Sequence, residues 1–149
     1  NRGTSFSLEP GHLQYLQPGM KPFHTLNPAL ARFADGRTMA YGTMGGEGQP
    51  QTQAALFTRY ARFGMGLQQS ITAPRWLLGR TWGEESTSLK LEDRFASDLV
   101  QSLKQAGHAV ELMDAFTATM GHAGAIVRHG DGRLEGANDP RSDGMVAAW

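Results

Sequence analysis

Two segments of the chain alternate between apolar and polar or small residues in a pattern that predicts β-hairpins. The first hairpin joins residues 29–33 to residues 38–44, and the second joins residues 123–127 to residues 133–136. Each turn contains an Asp-Gly pair, which favours a tight connection because glycine accepts a positive φ angle at no steric cost. The two hairpins therefore predict four strands in antiparallel pairs.

The region after the first hairpin has the longer apolar period of amphipathic helices. The first helix is expected to begin at Pro50, which suits a first turn, and its apolar face carries Leu56, Tyr60 and Phe63. A Gly-Met-Gly sequence ends this helix. Residues 67–73 then predict a short second helix that stops before a proline.

A third helix has a longer apolar stripe and a defined end. Gly107 stands where a glycine is expected just after a helix C-terminus. Short apolar runs at residues 76–78, 88–91 and 108–112 predict further strands. The stripe consists of five residues at helical spacing: Phe95, Leu99, Val100, Leu103 and Ala106.

The order of these elements predicts the fold class. Strands and helices segregate along the chain, which indicates an α+β fold with a largely antiparallel sheet. Residues 1–28 hold four of the seven prolines and have no sustained period, so they predict an extended, loop-rich segment. Residues 29–149 carry the sheet and the helices, and the whole chain is expected to form a single piece.

Composition narrows the range of functions. The chain has 149 residues, of which 40% are hydrophobic, and 14 basic residues balance 14 acidic ones. That balance argues against a general nucleic-acid surface. The absence of cysteine excludes disulfides, thiol catalysis and thiolate-bound metals. The apolar runs are too short to predict a membrane span, and the compartment stays open between cytoplasm and periplasm.

Three glycines, Gly45, Gly46 and Gly48, lie between a predicted strand and a predicted helix. A strand that ends in Gly-Gly before a helix can aim consecutive backbone N–H groups at one developing oxyanion. The alternative is a flexible turn, because glycine is the usual residue of turns. The residues alone favour the turn. No Gly-Lys-Ser/Thr follows, so a phosphate-binding loop is not predicted.

The remaining candidate residues favour structural roles. None of the five histidines has the spacing of a metal site, so neither a metal nor a cofactor is predicted. Asp139, Arg141 and Asp143 surround a proline, which predicts an Asx-type turn with a local ion pair rather than a catalytic carboxylate pair. Residues 86–88 carry hydroxyl groups, but no base stands beside them in sequence, and a serine nucleophile is not predicted.

Four longer stretches occur together in one order: MKPFHTLNPAL, AYGTMGGEGQPQTQ, ITAPRWLLGR and MGHAGAIVRHGDGRLEGANDPRSDG. Together they resemble the C-terminal part of the small subunit of the γ-glutamyltranspeptidase family, over nearly the whole chain. The resemblance implies the αββα sandwich of the N-terminal nucleophile hydrolases, represented here only by its C-terminal portion. It also implies an enzyme that matures by self-cleavage and then uses an N-terminal threonine as nucleophile, with its α-amine as base.

The resemblance assigns roles to individual residues. Gly45 and Gly46 match the glycine pair whose backbone amides form the family's oxyanion hole. His24 and Thr25 fall where better-known members have two serines that contact the α-carboxylate of the substrate. Thr25 keeps a hydroxyl group, whereas His24 departs from the pattern.

The first residues of the chain also match a substrate-binding stretch of the family. Asn1 corresponds to a family asparagine, and Thr4 and Ser5 stand where two aspartates occur. The second aspartate, at the position of Ser5, binds the α-amino group of the substrate. Without that carboxylate, an acyl group that lacks an amine, such as glutaryl, becomes an alternative to γ-glutamyl.

The resemblance further implies what the chain lacks. The family's catalytic threonine and the arginine contacts of the large subunit lie upstream of the stretch that Asn1 begins. The chain has no initiator Met and is expected to begin downstream of the start of its gene, to need the missing N-terminal part as a partner, and to be inactive alone. The alternative is a stand-alone, non-catalytic module that binds small acids or partners.

Overall fold

The computed structural model describes residues 2–80 and 85–148, which form two β-sheets packed with α-helices. The strands are β1 (Ala29–Arg32), β2 (Thr38–Thr43), β3 (Trp76–Leu78), β4 (Leu89–Glu92), β5 (Val110–Met113), β6 (Ala123–Arg128) and β7 (Leu134–Asn138). The helices are α1 (Gln49–Ala61), α2 (Leu67–Thr72) and α3 (Ser97–Gln105). Short 3₁₀ turns occupy Arg2–Ser5, Gly46–Gly48 and Ala118–Met120.

The four-stranded sheet has the order β1-β2-β6-β7, and every neighbouring pair is antiparallel. Its outer pairs are the two predicted hairpins, and the pairing of β2 with β6 joins them. Met39 lies opposite Val127, and Tyr41 lies opposite Ala125. Because side chains alternate along a strand, this register places all four on one face, which α1 and α2 cover.

A hydrophobic core fills the space between this face and the two helices. Six of its buried residues come from both sheet and helices: Met39, Leu56, Tyr60, Leu67, Ile71 and Val127. Phe57 adds stacked contacts with Phe33 and Tyr41, at centroid separations of 6.1 and 5.8 Å. Phe63, predicted on the apolar face of α1, is instead 74% exposed because the helix ends at Ala61.

The three-stranded sheet has the order β3-β4-β5, with an antiparallel and a parallel pair. The parallel β4–β5 pair was not anticipated from the sequence, and α3 forms the crossover that parallel neighbours require. Val100 of α3 packs against this sheet together with Phe95 and Leu103. Leu99, predicted on the same stripe, is 45% exposed because the small sheet covers only part of the helix. Gly107 follows the helix with φ 92°, as predicted.

The opposite face of the four-stranded sheet is largely open. Leu30, Ile126 and Leu134 point to this face and are 64%, 57% and 67% exposed. Among the described residues, the C-terminal segment around Met145 and Val146 lies along part of the same face and lines a shallow pocket there. The sheet therefore presents an apolar surface opposite the one that the helices cover.

A buried ionic cluster joins the two sheets. Arg141 Nε donates to Glu92 Oε1 at 2.6 Å, and Arg141 Nη1 donates to Asp139 Oδ1 at 3.0 Å. Arg75 Nη2 lies 2.5 Å from Asp139 Oδ2. None of the four residues is more than 7% exposed. Two cations and two anions thus compensate each other's desolvation where the end of β4 meets the chain after β7.

The Asx-type turn with a local ion pair that residues 138–144 predict is confirmed. The Arg141 backbone N–H donates to Asp139 Oδ1 at 3.0 Å, as an Asx turn requires, and Asp143 is exposed. The contacts of this turn with Glu92 and Arg75 had no signal in the sequence, because those residues are far away along the chain. A local turn is therefore also the centre of a long-range network.

Hydrogen bonds and neighbouring charges affect the ionisation of Asp139 and Arg75 within this cluster. Burial disfavours the Asp139 carboxylate, but the Ala123 N–H group and the Arg75 charge outweigh burial, and the pKa of Asp139 lies below its ordinary value. Burial lowers the pKa of Arg75 to about 10, against the opposing effect of Asp139. Both groups are therefore charged at neutral pH.

We expect Asp139→Asn to lower the stability of the protein by about 3–5 kcal/mol, because it leaves buried guanidinium groups without their anion. The measurement is the thermal unfolding midpoint at neutral pH. Asp35→Asn is the matched control, since Asp35 also pairs with an arginine two residues later, Arg37, but is 53% exposed. The control should unfold close to the wild-type temperature.

The same pair of variants has a predicted pH dependence. Because the pKa of folded Asp139 is lowered, its contribution to stability is complete above the pKa of an unfolded aspartate, about 3.9, and is lost as the pH falls through the folded pKa. The difference between wild type and Asp139→Asn should therefore persist from pH 7 down to about 4 and shrink only below that. A difference that vanished near pH 6 would contradict this assignment.

Candidate active site

The glycine segment forms a compact turn between β2 and α1. Gly45 and Gly46 have φ angles of 134° and 52°. Residues other than glycine rarely adopt these positive values. A Cβ on Gly48 would lie 2.6 Å from Leu77 Cδ1, so a larger residue here would displace the Leu77 side chain. The Gly48 N–H group donates to the Gly45 carbonyl oxygen at 2.9 Å and closes the turn. Each of the three positions therefore has a steric reason to carry glycine.

Gly121 and His122 pack against this turn. A Cβ on Gly45 would lie 3.4 Å from the Gly121 Cα atom. A Cβ on Gly121 would meet the Met44 carbonyl oxygen at a distance too short for any side chain. The Met44 N–H group donates to the His122 carbonyl oxygen at 3.4 Å. The turn thus rests on the chain that leads into β6.

An open pocket of about 820 Å³ lies beside the turn and at the N-terminus of α1. Gly45, Gly46 and Thr25, three of the residues that the resemblance assigns to the site, all line it. Its other lining residues are mostly apolar or small: Phe23, Leu26, Asn27, Thr43, Met44, Glu47, Gln49 and Pro50. Helix N-termini favour negative charge, so the position suits an anionic group.

Two glutamines of α1 hold the segment that contains Thr25. Gln49 Nε2 donates to the Thr25 carbonyl oxygen at 3.0 Å, and Gln53 Nε2 donates to the Asn27 carbonyl oxygen at 2.6 Å. Both glutamines are buried, although the residue type is usually exposed. The sequence analysis did not identify them. The signal available was two glutamines four residues apart at the start of a helix, which places both on one face.

Two other predicted site residues, His24 and Ser5, are not among the residues that line this pocket. His24 is exposed and does not line it. Ser5 is half-buried within the Arg2–Ser5 turn and does not line it either. Asn1 lies outside the described residues. The glycine pair and Thr25 are therefore the predicted residues that the described part of the chain brings together.

Residues 86–88 have a cationic neighbour that the sequence analysis missed. Lys90 Nζ donates to Ser86 Oγ at 2.8 Å and to Ser88 Oγ at 2.9 Å, and it also donates to the Gly79 carbonyl oxygen at 3.2 Å. These three hydrogen bonds tie residues 79, 86 and 88 to the Lys90 side chain. The expectation that no serine nucleophile is present stays a prediction, and the described contacts favour a structural lysine.

The histidines also fit structural roles. Among residues 2–80 and 85–148, no three histidine or acidic side chains come together as a metal site would require. His129 Nε2 lies 2.9 Å from Glu135 Oε2. His122 differs, because its Nε2 atom is buried and has no hydrogen-bond partner within the described part of the chain.

In the same part of the chain, every helix is too short or too polar to span a bilayer.

Comparison with known proteins relates this arrangement to curated relatives. The oxamate amidohydrolase proenzyme of Klebsiella pneumoniae is 64% identical over 149 residues, which are all of this chain and 28% of that protein. The glutathione hydrolase-like YwrD proenzyme of Bacillus subtilis is 48% identical over 146 residues, 98% of this chain and 28% of that protein. The chain thus spans little more than a quarter of the length of these relatives.

Solved structures agree with the fold. A cephalosporin acylase from Bacillus halodurans superposes with a TM-score of 0.75 at 30% identity, over 99% of this chain and 27% of that one. A γ-glutamyltranspeptidase from Pseudomonas nitroreducens superposes with a TM-score of 0.74 at 19% identity, over 100% of this chain and 80% of that one, and so supports the fold alone. The α+β expectation and its relation to N-terminal nucleophile hydrolases are confirmed. Because the sequence model described as Gamma-glutamyltranspeptidase matches residues 1–149, the chain belongs to the γ-glutamyltranspeptidase family.

Proposed function

We propose that this chain is part of an amidohydrolase that cleaves a small, carboxylate-bearing amide through a threonine acyl-enzyme. The observation that carries the proposal is the turn at Gly45 and Gly46, which borders a pocket at the N-terminus of α1 together with Thr25. The 64% identical relative is named as an oxamate amidohydrolase, which supports an amide as the bond that is broken.

In the proposed reaction, the hydroxyl oxygen of an upstream threonine attacks the amide carbonyl carbon, and the threonine α-amine accepts the hydroxyl proton. The carbonyl electrons move onto oxygen, and the N–H groups of Gly45 and Gly46 stabilise this oxyanion, aided by the positive end of α1. When the carbonyl re-forms, the C–N bond breaks and the α-ammonium returns its proton to the leaving ammonia. Water then hydrolyses the ester and releases the acid.

The proposed substrate class rests on the resemblance at Thr4 and Ser5, although neither residue lines the pocket of this chain. They stand where the resemblance places two aspartates, one of which would bind a substrate ammonium group. An ammonium group in a partly desolvated site needs an anionic partner, and neither hydroxyl supplies one. Oxamate carries a carboxylate and an amide but no amine, so it does not need an anionic partner at the positions of Thr4 and Ser5. We therefore take oxamate-like amides as the first candidates. Glutaryl amides, which follow from the departure at Thr4 and Ser5, are the second.

The rest of the parent protein is proposed to complete the site. Leu30, Ile126 and Leu134 expose an apolar sheet face that suits a second sheet as cover. The buried Nε2 of His122, close to the glycine turn, has no partner among the described residues. Leaving such an atom unpaired costs about 1–3 kcal/mol, which favours a partner from the upstream part. The isolated chain, which lacks the nucleophile, is proposed to be inactive.

We expect Gly46→Val in the full-length protein to lower kcat by about 10²-fold or more, the scale for losing one oxyanion donor. The change strains the turn and places a side chain where the oxyanion would bind. Gly36→Val is the matched control, because Gly36 also has a positive φ, 88°, but sits in an open hairpin turn. Initial rates of ammonia release measure both variants. Near-normal turnover of Gly46→Val would remove the glycine pair from the mechanism.

The substrate class is tested by comparing kcat/KM of the full-length protein for oxamate, glutaryl-p-nitroanilide and γ-glutamyl-p-nitroanilide. The amine-free substrates should be preferred by at least about tenfold, equivalent to 1.4 kcal/mol. Ser5→Asp should then raise the γ-glutamyl rate and lower the oxamate rate, because the new carboxylate attracts an ammonium and repels a carboxylate. Ser7→Asp is the nearby control and should change the preference little. A strong γ-glutamyl preference of the wild type would refute the proposal for Thr4 and Ser5.

A further inference from the structure

The orientation of one peptide group decides whether the glycine turn can stabilise an oxyanion. In a trans peptide the carbonyl and the N–H group point in opposite directions, so the Met44 carbonyl fixes the direction of the Gly45 N–H group. The peptide bonds of the described residues are all trans. Gly45, with φ 134°, has no Cβ to oppose a rotation of this peptide. Contacts on the carbonyl side of this peptide therefore help to fix its orientation.

Two contacts hold that side. Thr43 Oγ1 donates a hydrogen bond to the Met44 carbonyl oxygen at 2.7 Å. Gly121 packs directly against the same oxygen, since a Cβ on Gly121 would overlap the Met44 carbonyl and lie 2.7 Å from Thr43 Oγ1. The hydroxyl group and the bare Cα of Gly121 thus form a socket for one carbonyl oxygen.

The socket is anchored to the buried ionic cluster. Arg75 Nη1 donates to the carbonyl oxygens of Met120 and Gly121 at 3.1 and 3.0 Å. Thr52 Oγ1 donates to the Met120 carbonyl oxygen at 3.3 Å, and Asp139 Oδ2 accepts from the Ala123 N–H group at 2.6 Å. Hydrogen bonds from buried side chains therefore hold residues 120–123 in place.

We infer that Thr43 and Gly121 are positioning residues that hold the Met44–Gly45 peptide with its N–H group directed for oxyanion stabilisation, and that Arg75 anchors Gly121 beneath them. The inference rests on the proposed oxyanion role of Gly45 and Gly46. It assigns to Thr43 a hydroxyl-dependent effect on turnover rather than on substrate affinity. Thr43 lines the pocket, but the role inferred for it acts through the Met44–Gly45 peptide.

The test compares Thr43→Val with Thr43→Ser in the full-length protein, with turnover expressed per mole of self-cleaved enzyme. Valine keeps the shape but removes the hydroxyl, whereas serine keeps the hydroxyl. We expect Thr43→Val to lower kcat about tenfold, the upper range for one neutral hydrogen bond, with KM and the unfolding midpoint nearly unchanged. Thr43→Ser should retain kcat within about twofold of wild type.

A second pair of variants gives an independent result. Gly121→Ala places a methyl group against the Met44 carbonyl and should lower kcat at least as much as Thr43→Val. Gly132→Ala is its control, because Gly132 also has a positive φ, 90°, with open space around it. Its kcat should stay near that of wild type.

The outcomes separate the inference from the proposed function. Wild-type kcat in Thr43→Val, alongside an inactive Gly46→Val, would overturn the socket and leave the oxyanion role standing. An equal fall in Thr43→Val and Thr43→Ser would also overturn it, because the effect would not depend on the hydroxyl. If Gly46→Val itself kept normal turnover, the proposed function would fail first. If kcat fell as much in Gly132→Ala as in Gly121→Ala, backbone strain alone would explain the Gly121→Ala result. That outcome would contradict the role inferred for Gly121.

Discussion

The pairing of Asp139 with Arg75 and Arg141 is the constraint on which the rest of the structure depends. Asp139 follows the last strand of one sheet, and Glu92, which also binds Arg141, ends the central strand of the other. All of these groups are buried. A charge in such a position is tolerated only when its neighbours complete its hydrogen bonds, so the cluster admits one relative arrangement of the two sheets.

The same cluster reaches the candidate active site. Arg75 uses one nitrogen for the carbonyl groups of Met120 and Gly121 and another for Asp139. Gly121 in turn lies under the Met44 carbonyl and Gly45. A turn rich in glycine has little intrinsic preference for one conformation, because glycine has the largest conformational freedom. The contact of Gly121 with the Met44 carbonyl group therefore helps to hold the turn in one conformation.

The difference between the two faces of the four-stranded sheet supports the proposal that this chain is part of a larger protein. One face carries a packed core with α1 and α2, and the other exposes apolar side chains such as Ile126 and Leu134. The chain covers 28% of its oxamate amidohydrolase relative. In the proposed function the donors for an oxyanion lie here, whereas the threonine that would generate the oxyanion lies upstream. The site is then shared between parts of one precursor.

The sequence by itself determined the local elements. The hairpins, the helix end at Gly107 and the Asx turn at Asp139 depend on neighbouring residues, so short patterns predict them. The combination of motifs also indicated the family, and the resemblance predicts the glycine pair and Thr25 as site residues. Phe63 was misplaced because the true end of α1 depends on its packing.

Only the tertiary structure decided which distant groups meet. The partners of Asp139, the close packing of Gly121 under Met44, and the glutamines that dock the Thr25 segment all join residues far apart in sequence. Such contacts produce no repeating pattern in the sequence, because each one depends on a single residue and not on a run of neighbouring residues. A glycine turn could therefore be located from sequence, whereas the packing of the remote Gly121 against the Met44 carbonyl oxygen could not.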